Sequence, residues 1–409
     1  FSGVSHVERD LFAKVRTFSV MFEEWQKLPQ YQYKTVRKAS KGTKTSLKGY
    51  RKKSIVMGSN DYLNLAAHPK VIEAALEATQ KYGTSSTGSP LTTGQTDLHM
   101  ELCEFLAKML HKESAILFNS GYASNLGSLQ GLVGRGDLMV ADFLSHASIQ
   151  DGMKQSHGSA KLFRHNSTED LRRILQSSRD EYAGTLVLTE GVFSMDGDVP
   201  PLKEIISIAK EHDCRVYLDE AHSIGVLGET GGGLVEELDC HDDVDVIMGT
   251  FSKSFGGIGG FVAASKDVCD WLYWLARSHM FSISISPANA AAALQAGKLF
   301  TQDSSIIAQL KRNIKLFVEG MRALGAPIDS NHRSSVVPVM VGDVAKLGVM
   351  NKYLLDHGIF VVPIVYPAVS RNQSRFRFTV CAGLVESDID YVLTVFENAM
   401  KEADFDFHR

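Results

Sequence analysis

Short apolar runs alternate with segments of helical periodicity between residues 115 and 264, and this alternation constrains the fold most strongly. The predicted strands lie at 115–118, 138–141, 160–163, 185–189, 215–219, 244–249 and 260–264. The predicted helices between them include 122–132, 168–176 and 202–211. Strands that alternate with helices in this way form a mostly parallel, doubly wound sheet. We therefore predict an α/β fold whose large domain contains a mostly parallel, seven-stranded sheet.

Polar residues follow the ends of most of these strands, at positions 120–122, 142–146, 190–194, 219–222 and 250–253. In open α/β sheets, ligands bind beyond the carboxyl ends of the strands. Because these polar groups meet at one rim of such a sheet, the sequence predicts a binding or catalytic site there.

Lys253 is the leading candidate for a chemically active residue at this rim. It lies between Ser252 and Ser254, shortly after the apolar run 244–249. A lysine that is desolvated at the end of a buried strand has a lowered pKa, and its neutral amine can form a Schiff base. The alternative is an exposed loop lysine, since lysines are mostly exposed. The residues at the end of the predicted strand 215–219 favour a desolvated, reactive lysine.

Asp219 ends the predicted strand 215–219, and His222 follows three residues later. In pyridoxal phosphate (PLP) enzymes an aspartate bonds to the pyridine nitrogen and keeps it protonated, so that the ring acts as an electron sink. Asp219 suits that task, and His222 is placed to reach the ring hydroxyl from the same side. Together with Lys253 these residues are typical of a fold-type I PLP site, which predicts PLP as the cofactor.

The tetrapeptide from Asp219 to His222 also matches a box found in some nucleic-acid-dependent ATPases. Those proteins need a Gly-x-x-x-x-Gly-Lys-Ser/Thr phosphate loop upstream, and this sequence has none. The net charge of −4 gives no separate argument for nucleic acid. We therefore expect no nucleic-acid partner.

Composition places the chain among ordinary globular proteins, with 409 residues of which 44% are hydrophobic and 22% charged. The five cysteines form no CxxC pair and no zinc-binding spacing, so we expect no metal site and a reducing, cytoplasmic location. No apolar run approaches the length of a membrane span, and no signal-peptide pattern is present.

Three regions are predicted from the order of elements: an N-terminal arm (1–58), a large domain (59–290) and a small C-terminal α+β domain (291–409). The arm combines an amphipathic helix at 4–28, ending near Pro29, with a basic segment at 34–53. The large domain opens with helices at 71–82 and 99–110, separated by a glycine-, serine- and threonine-rich loop at 83–94. After a helical stretch at 287–324, the small domain has strands at 336–340, 360–362 and 375–379 and helices at 346–357 and 386–403.

Seven motifs, in order and correctly spaced, resemble those of the α-oxoamine synthases. They lie at 59–63, 119–125, 145–149, 164–166, 190–197, 219–223 and 249–254. Enzymes of this family are fold-type I PLP transferases that join an amino acid to an acyl thioester with loss of carbon dioxide. The resemblance covers nearly the whole chain, and within the family it is greatest to the bacterial serine palmitoyltransferases.

The resemblance implies a role for each matched residue. Lys253 is expected to form the Schiff base with the cofactor and then to remove the substrate α-proton. Asp219 is expected at the pyridine nitrogen, His222 at the ring hydroxyl, and His146 stacked on the ring and touching the substrate carboxylate. The other cofactor contacts implied are Ser194 near the ring hydroxyl, the amides of Gly121 and Tyr122 and the hydroxyls of Thr250 and Ser252 at the phosphate, and Ser282 from a second subunit.

The resemblance also implies a substrate-binding set made of Arg375, Asn60 and Tyr62. Arg375 matches the arginine that binds the substrate carboxylate, with Arg371 and Arg377 as rivals. The chain departs from the family at Pro90, where most relatives carry an arginine or histidine in the glycine-rich loop. The expected amino acid is therefore left open among serine, alanine and glycine.

Two alternatives to this function stay open at the sequence level. An aminotransferase or an aldolase can use the same fold, because fold alone does not fix the reaction. A non-catalytic partner subunit is the other alternative, although the presence of Lys253, Asp219, His146 and His222 speaks against it.

The expected partners follow from the arm and from the acyl donor. The apolar stripe of the N-terminal helix and the match at Ser282 predict a homodimer with a shared active site. The basic segment predicts a docking surface for an acidic acyl-carrier protein, with free coenzyme A or solvent as the alternatives. Because the sequence starts at Phe1 without a methionine, we also expect a domain of a larger biosynthetic protein, or a trimmed region.

Overall fold

The computed structural model of the protein describes residues 10–27 and 33–407. Its strands are β1 (Arg37–Lys41), β2 (Lys44–Leu47), β3 (Lys53–Val56), β4 (Ser114–Phe118), β5 (Asp137–Asp142), β6 (Ser159–Phe163), β7 (Gly184–Glu190), β8 (Arg215–Asp219), β9 (Val246–Thr250), β10 (Gly260–Ala264), β11 (Val336–Gly342), β12 (Ile359–Phe360), β13 (Pro363–Ile364) and β14 (Ser374–Thr379). Its α-helices are α1 (Ala13–Lys27), α2 (Pro69–Tyr82), α3 (Asp97–Met109), α4 (Gly121–Leu132), α5 (Ala147–Gln155), α6 (Thr168–Ser178), α7 (Leu202–Glu211), α8 (Leu234–Glu237), α9 (Lys266–Leu275), α10 (Arg277–Met280), α11 (Pro287–Gln302), α12 (Ser305–Ala323), α13 (Val344–Asp356) and α14 (Glu386–Glu402).

The large sheet has seven strands in the order β4-β10-β9-β8-β7-β5-β6. β10 runs antiparallel to both of its neighbours, and the other pairs are parallel, which confirms the predicted mostly parallel sheet. Each predicted strand is present. The largest shift is in β9, which begins at Val246 rather than at 244.

The sheet is buried on both faces, which explains why its strands read as continuous apolar runs. In β5, Leu138 and Val140 belong to one hydrophobic core, whereas Met139 and Ala141 belong to a second core on the opposite face. Because side chains alternate along a strand, one apolar run supplies both cores. The same packing fixes the carboxyl ends of β5, β7, β8 and β9 at a common rim.

The C-terminal region forms a three-stranded antiparallel sheet in the order β11-β14-β13, with α13 and α14 packed on its core. The predicted helical stretch at 287–324 consists of α11 and α12, separated by Asp303 and Ser304. Strand β14 carries Arg375 and Arg377 toward the large domain, where both donate hydrogen bonds to the loop after β7.

The described part of the N-terminal arm joins the C-terminal region through a sheet of its own. β1, β2 and β3 form an antiparallel meander, and β3 pairs in parallel with β12. The basic segment is therefore not an isolated loop. Helix α1 begins at Ala13; the predicted start of the helix near residue 4 and its end near Pro29 lie outside the described residues. The division into three regions stays a prediction.

None of the helices in the described ranges is long and apolar enough to cross a membrane.

Candidate active site

Lys253 lies in the loop that follows β9, and short hydrogen bonds hold this loop in place. The Lys253 carbonyl accepts from the Gly256 amide at 2.8 Å. The Ser254 hydroxyl, which is buried, donates to the Ile224 carbonyl at 2.6 Å. Burial lowers the pKa of Lys253 from 10.5 to about 8, although the carboxylates of Asp219 and Glu190 act in the opposite direction. A substantial neutral fraction of the amine is therefore present near physiological pH.

Asp219 ends β8 and is held in a fixed orientation by two donors. The Asn125 side-chain amide donates to Asp219 Oδ2 at 2.7 Å, and the Ala221 backbone amide donates to Oδ1 at 2.9 Å. Asn125 is itself fixed, because its Oδ1 accepts from the Tyr217 hydroxyl at 2.9 Å. Asn125 lies within the matched motif 119–125, but no role for it was expected from the sequence.

His222 and Tyr62 meet although they are 160 residues apart in sequence. The Tyr62 hydroxyl lies 2.6 Å from His222 Nδ1. Burial raises the pKa of Tyr62 to about 12, and burial, together with the positive charge of Lys253, lowers the pKa of His222 well below its usual value. The phenol is therefore the donor and Nδ1 the acceptor, so the neutral imidazole carries its proton on Nε2. This tautomer leaves Nε2–H available as a donor toward the rim.

Helix α4 starts at Gly121, next to Thr250, and forms the expected anion cradle. A Cβ atom added at Gly121 would lie 2.9 Å from the Thr250 side chain, so glycine permits this close approach. The Thr250 hydroxyl lies 2.9 Å from the Ser252 hydroxyl. The Tyr122 side chain turns toward α5 and donates a hydrogen bond to Asp151. The backbone amides at 121 and 122 and the hydroxyls of Thr250 and Ser252 thus surround one helix N-terminus, where an anion is favoured.

His146 precedes α5, and Glu190 fixes its backbone. The His146 amide donates to Glu190 Oε1 at 2.5 Å, and His146 Nδ1 lies 2.7 Å from the Ser148 hydroxyl. Burial raises the pKa of Glu190 well above its usual range, and the neighbouring Asp219 carboxylate raises it further. Glu190 was expected at the rim from the sequence, but without a role of its own.

Arg375 and Arg377 occupy different environments, although both lie on β14. Arg375 is only 2% exposed, and its guanidinium lies 2.5 Å from Asp196 Oδ1 and 3.2 Å from the Met195 carbonyl. Arg377 is half-buried and donates to the Ser194 carbonyl at 2.6 Å and to Asn60 Oδ1 at 3.2 Å. The charge of Arg377 also lowers the pKa of Lys253. The arginine that faces the rim is therefore Arg377.

The matched residues Asn60 and Ser282 have different hydrogen-bond partners. Asn60 Oδ1 is 3.5 Å from the Tyr62 hydroxyl, so Asn60 links Arg377 to the pair formed by Tyr62 and His222. Ser282 follows α10 and accepts a hydrogen bond from the side chain of Asn119 in the same chain at 2.5 Å. Arg371, the third rival for the carboxylate, lies over the Tyr366 ring.

A sequence profile of the family "Aminotransferase class I and II" matches residues 52–396, most of the chain and every rim residue described above. The chain belongs to this family.

Curated relatives and solved structures place the chain more closely within the family. It is 39% identical over 351 residues to an 8-amino-7-oxononanoate synthase of Treponema denticola, covering 86% of this chain and 89% of the relative. It is also 39% identical over 357 residues to a serine palmitoyltransferase of Bacteriovorax stolpii, covering 87% and 85% of the two chains. The structure of a lysine-to-alanine variant of serine palmitoyltransferase from S. paucimobilis, with a bound PLP–myriocin aldimine, superposes with a TM-score of 0.91 at 33% identity, covering 97% of this chain and all of that chain.

The family member described here is thus an α-oxoamine synthase, a PLP-dependent transferase with the fold-type I architecture. Its rim residues fit PLP. The glycine at 121 opens a helix N-terminus to the phosphate, the fixed Asp219 carboxylate suits the pyridine nitrogen, and the Nε2–H of His222 suits the ring hydroxyl. Lys253, with its lowered pKa, suits the aldehyde carbon.

Proposed function

We propose that this α-oxoamine synthase condenses a small amino acid, namely serine, alanine or glycine, with an acyl thioester and releases carbon dioxide and a free thiol. The observation that carries the proposal is the environment of Lys253. Its pKa is lowered to about 8 beside a fixed Asp219 carboxylate, at the rim where the family's motifs converge. PLP, when bound, supplies an electron sink that stabilises negative charge at the substrate Cα.

Three side chains carry the proton chemistry in this proposal. Lys253 removes the α-proton, because its amine is neutral in a useful fraction of molecules near pH 8. Asp219 stays in place as a negative charge, since Asn125 and Ala221 donate to its two oxygens. His222 donates from Nε2, and Tyr62 holds that tautomer. With PLP bound, His146 would stack on the ring face and Ser194 would lie near the ring hydroxyl, as the resemblance implies.

Arg377 is the residue that we assign to the substrate carboxylate, in place of Arg375. A planar guanidinium binds a carboxylate through two parallel hydrogen bonds. Arg375 already uses its guanidinium on Asp196, whereas the partners of Arg377 are neutral oxygens of Ser194, Asn60 and Thr379. An incoming carboxylate therefore adds a charge partner to Arg377 without breaking an ion pair.

We also propose that two copies of the chain form a homodimer in which Ser282 reaches the phosphate of the neighbouring site. Helix α1 supports this, because none of its residues is buried within the described chain although Val20, Met21 and Trp25 are large and apolar. Around Ser282, the neighbouring Phe281 and Ile283 are likewise exposed. A second copy that covers these side chains removes apolar surface from water.

We also propose that the acyl donor is an acidic acyl-carrier protein, because the basic segment at 34–53 suits an acidic partner. Residues 34–53 contain nine lysines and arginines and no acidic residue, in a chain with a net charge of −4. Lys48, Arg51, Lys52 and Lys53 are exposed on the strands and turns around β2 and β3, whereas Lys44 pairs with Asp388 at 2.9 Å. Strand β3 leads directly into Asn60 and Tyr62, so this surface adjoins the site.

The free cysteines support a cytoplasmic location for the reaction.

A charge-reversal experiment tests whether a carrier protein delivers the acyl group. Changing Lys48, Arg51, Lys52 and Lys53 to Glu is expected to weaken use of a carrier-bound acyl group much more than use of a short thioester without phosphates. The difference shrinks as salt screens the attraction. A control variant carries the same change in net charge at exposed lysines elsewhere: Lys108, Lys203, Lys315 and Lys401. Equal losses with both donors, or a loss confined to acyl-coenzyme A, contradict the carrier-protein proposal.

The reaction itself is tested by its products. The PLP-loaded protein is incubated with each candidate amino acid and an acyl thioester, and released thiol and carbon dioxide are measured together. Release of both in equal amounts supports the condensation. Transfer of the amino group to a keto acid without thiol release indicates an aminotransferase, and cleavage of the amino acid to an aldehyde indicates an aldolase. No reaction, despite a PLP–lysine band that borohydride removes, indicates a non-catalytic subunit.

A further inference from the structure

His165 lies at the end of β6 between two carboxylates. Its Nδ1 is 3.0 Å from Asp142 Oδ1, and its Nε2 is 2.8 Å from Asp198 Oδ2. An ionised carboxylate only accepts hydrogen bonds, and a neutral imidazole has one N–H group. Both contacts are therefore satisfied when His165 carries a proton on each ring nitrogen.

Asn166 makes a second bridge between the same two carboxylates. Its backbone amide donates to Asp142 Oδ2 at 2.8 Å, and its side-chain amide donates to Asp198 Oδ2 at 2.7 Å. The residue has a positive φ of 54°, which asparagine tolerates better than most residues. Residues 165 and 166 thus act together as one connection between the end of β5 and the loop after β7.

The two segments that this connection joins both carry residues of the active site. Asp142 organises the turn that leads to His146, since its Oδ1 accepts from the Leu144 amide at 2.8 Å and its carbonyl accepts from the Ser145 amide at 3.1 Å. Asp198 closes the loop that carries Ser194, because its carbonyl accepts from the Phe193 amide at 3.0 Å.

We propose that His165 is a positioning residue, an imidazolium that holds the turn bearing His146 at a fixed spacing from the loop bearing Ser194. The proposal deepens the proposed function, since it concerns the placement of groups in the same site. Because the Ser194 carbonyl accepts from Arg377, the spacing that His165 sets also determines where the assigned carboxylate-binding guanidinium lies.

The groups around His165 agree with a charged ring. The His165 and Phe193 rings pack in a T-shaped arrangement with centroids 4.5 Å apart, and the charge of Asp198 also acts on His332 of the C-terminal region. Burial alone lowers the pKa of His165, but the hydrogen bonds to Asp142 and Asp198 outweigh it and raise the pKa to about 10. The imidazolium therefore persists throughout the neutral pH range.

The first test needs neither cofactor nor turnover. Nitrogen–proton NMR correlation of the histidine rings in the cofactor-free protein at pH 8 is expected to show protons on both nitrogens of one ring, and His165→Gln should remove that signal. His157→Gln is the matched control, because His157 is exposed and lies on the segment before β6. A neutral His165 ring at pH 8 overturns the proposal, whether or not the condensation activity is confirmed.

The second test separates positioning from folding. His165→Phe keeps a ring of similar shape but has no donor, and His165→Gln keeps one donating group. We expect kcat/KM for the amino acid to fall about 10- to 100-fold in the Phe variant and less in the Gln variant. Displacing a group that positions the substrate by about 1 Å can lower the rate by up to about 100-fold. The amino-acid dissociation constant, followed by the change in the PLP absorbance band, should rise in the same order while PLP is retained. Equal affinity in both variants and the wild type refutes the positioning role.

Discussion

Replacing Arg377 and Arg375 separately distinguishes the two arginines of β14, which the sequence places two residues apart. In Arg377→Gln the substrate carboxylate loses a charged, bidentate partner. Hydrogen bonds to charged groups contribute roughly 1.5–3 kcal/mol. At about 1.4 kcal/mol for each factor of ten, KM for the amino acid should rise roughly 10- to 100-fold. The structure predicts little loss of stability, because the partners of Arg377 are neutral oxygens that Gln or water can satisfy.

Arg375→Gln should lower the stability of the protein and leave KM for the amino acid nearly unchanged. It removes the guanidinium of Arg375, whose side chain is 3% exposed, from Asp196, whose side chain is 38% exposed. Breaking a fully buried pair costs about 3–5 kcal/mol, and the access of water to Asp196 reduces this to about 1–2 kcal/mol. The expected result is a lower unfolding midpoint with a modest change in KM.

The assay measures KM for the amino acid and the denaturant midpoint for both variants. A matching amine without the carboxylate serves as a control ligand, and its affinity should be the same in Arg377→Gln and the wild type. A rise of KM in Arg375→Gln of the size predicted for Arg377→Gln, with KM unchanged in Arg377→Gln, would refute the assignment of the carboxylate to Arg377.

Four further outcomes follow from the same geometry. Lys253→Ala should abolish turnover without unfolding the protein, and exchange of the substrate α-proton at the wild-type rate would show that another group is the base. In the cofactor-free protein, the rate of PLP attachment to Lys253 should rise with pH below about 8 and level off above it, because the amine loses its proton there; a rise that continues toward 10.5 contradicts the lowered pKa. Asp219→Asn should reduce kcat by about 10²-fold or more, since an amide cannot provide the charge that stabilises the protonated ring, and near-normal kcat would mean that another acid serves the ring nitrogen. Mixed dimers of a Lys253→Ala chain with a Ser282→Trp chain should recover part of the activity, and failure to do so in dimers shown to be mixed argues against a shared site.

The sequence by itself determined the sheet and the rim of the site. Apolar runs such as 185–189 and 215–219 were sufficient because these strands are buried on both faces, so that local composition and tertiary environment agree. The placement of Lys253, Asp219 and His222 at one rim followed from the same pattern, since parallel strands in a sheet end on the same side.

Only the tertiary structure decided which arginine faces the rim and which residues fix the charged groups. Arg375 and Arg377 lie two residues apart on one strand and therefore share a face, so periodicity cannot separate them. The difference arises from Asp196, on a loop 179 residues away in sequence, which neutralises Arg375 alone. The contacts of Tyr62 with His222 and of Asn125 with Asp219 are also long-range. They form where separate loops come together at the end of the sheet, and no local sequence pattern indicates these contacts.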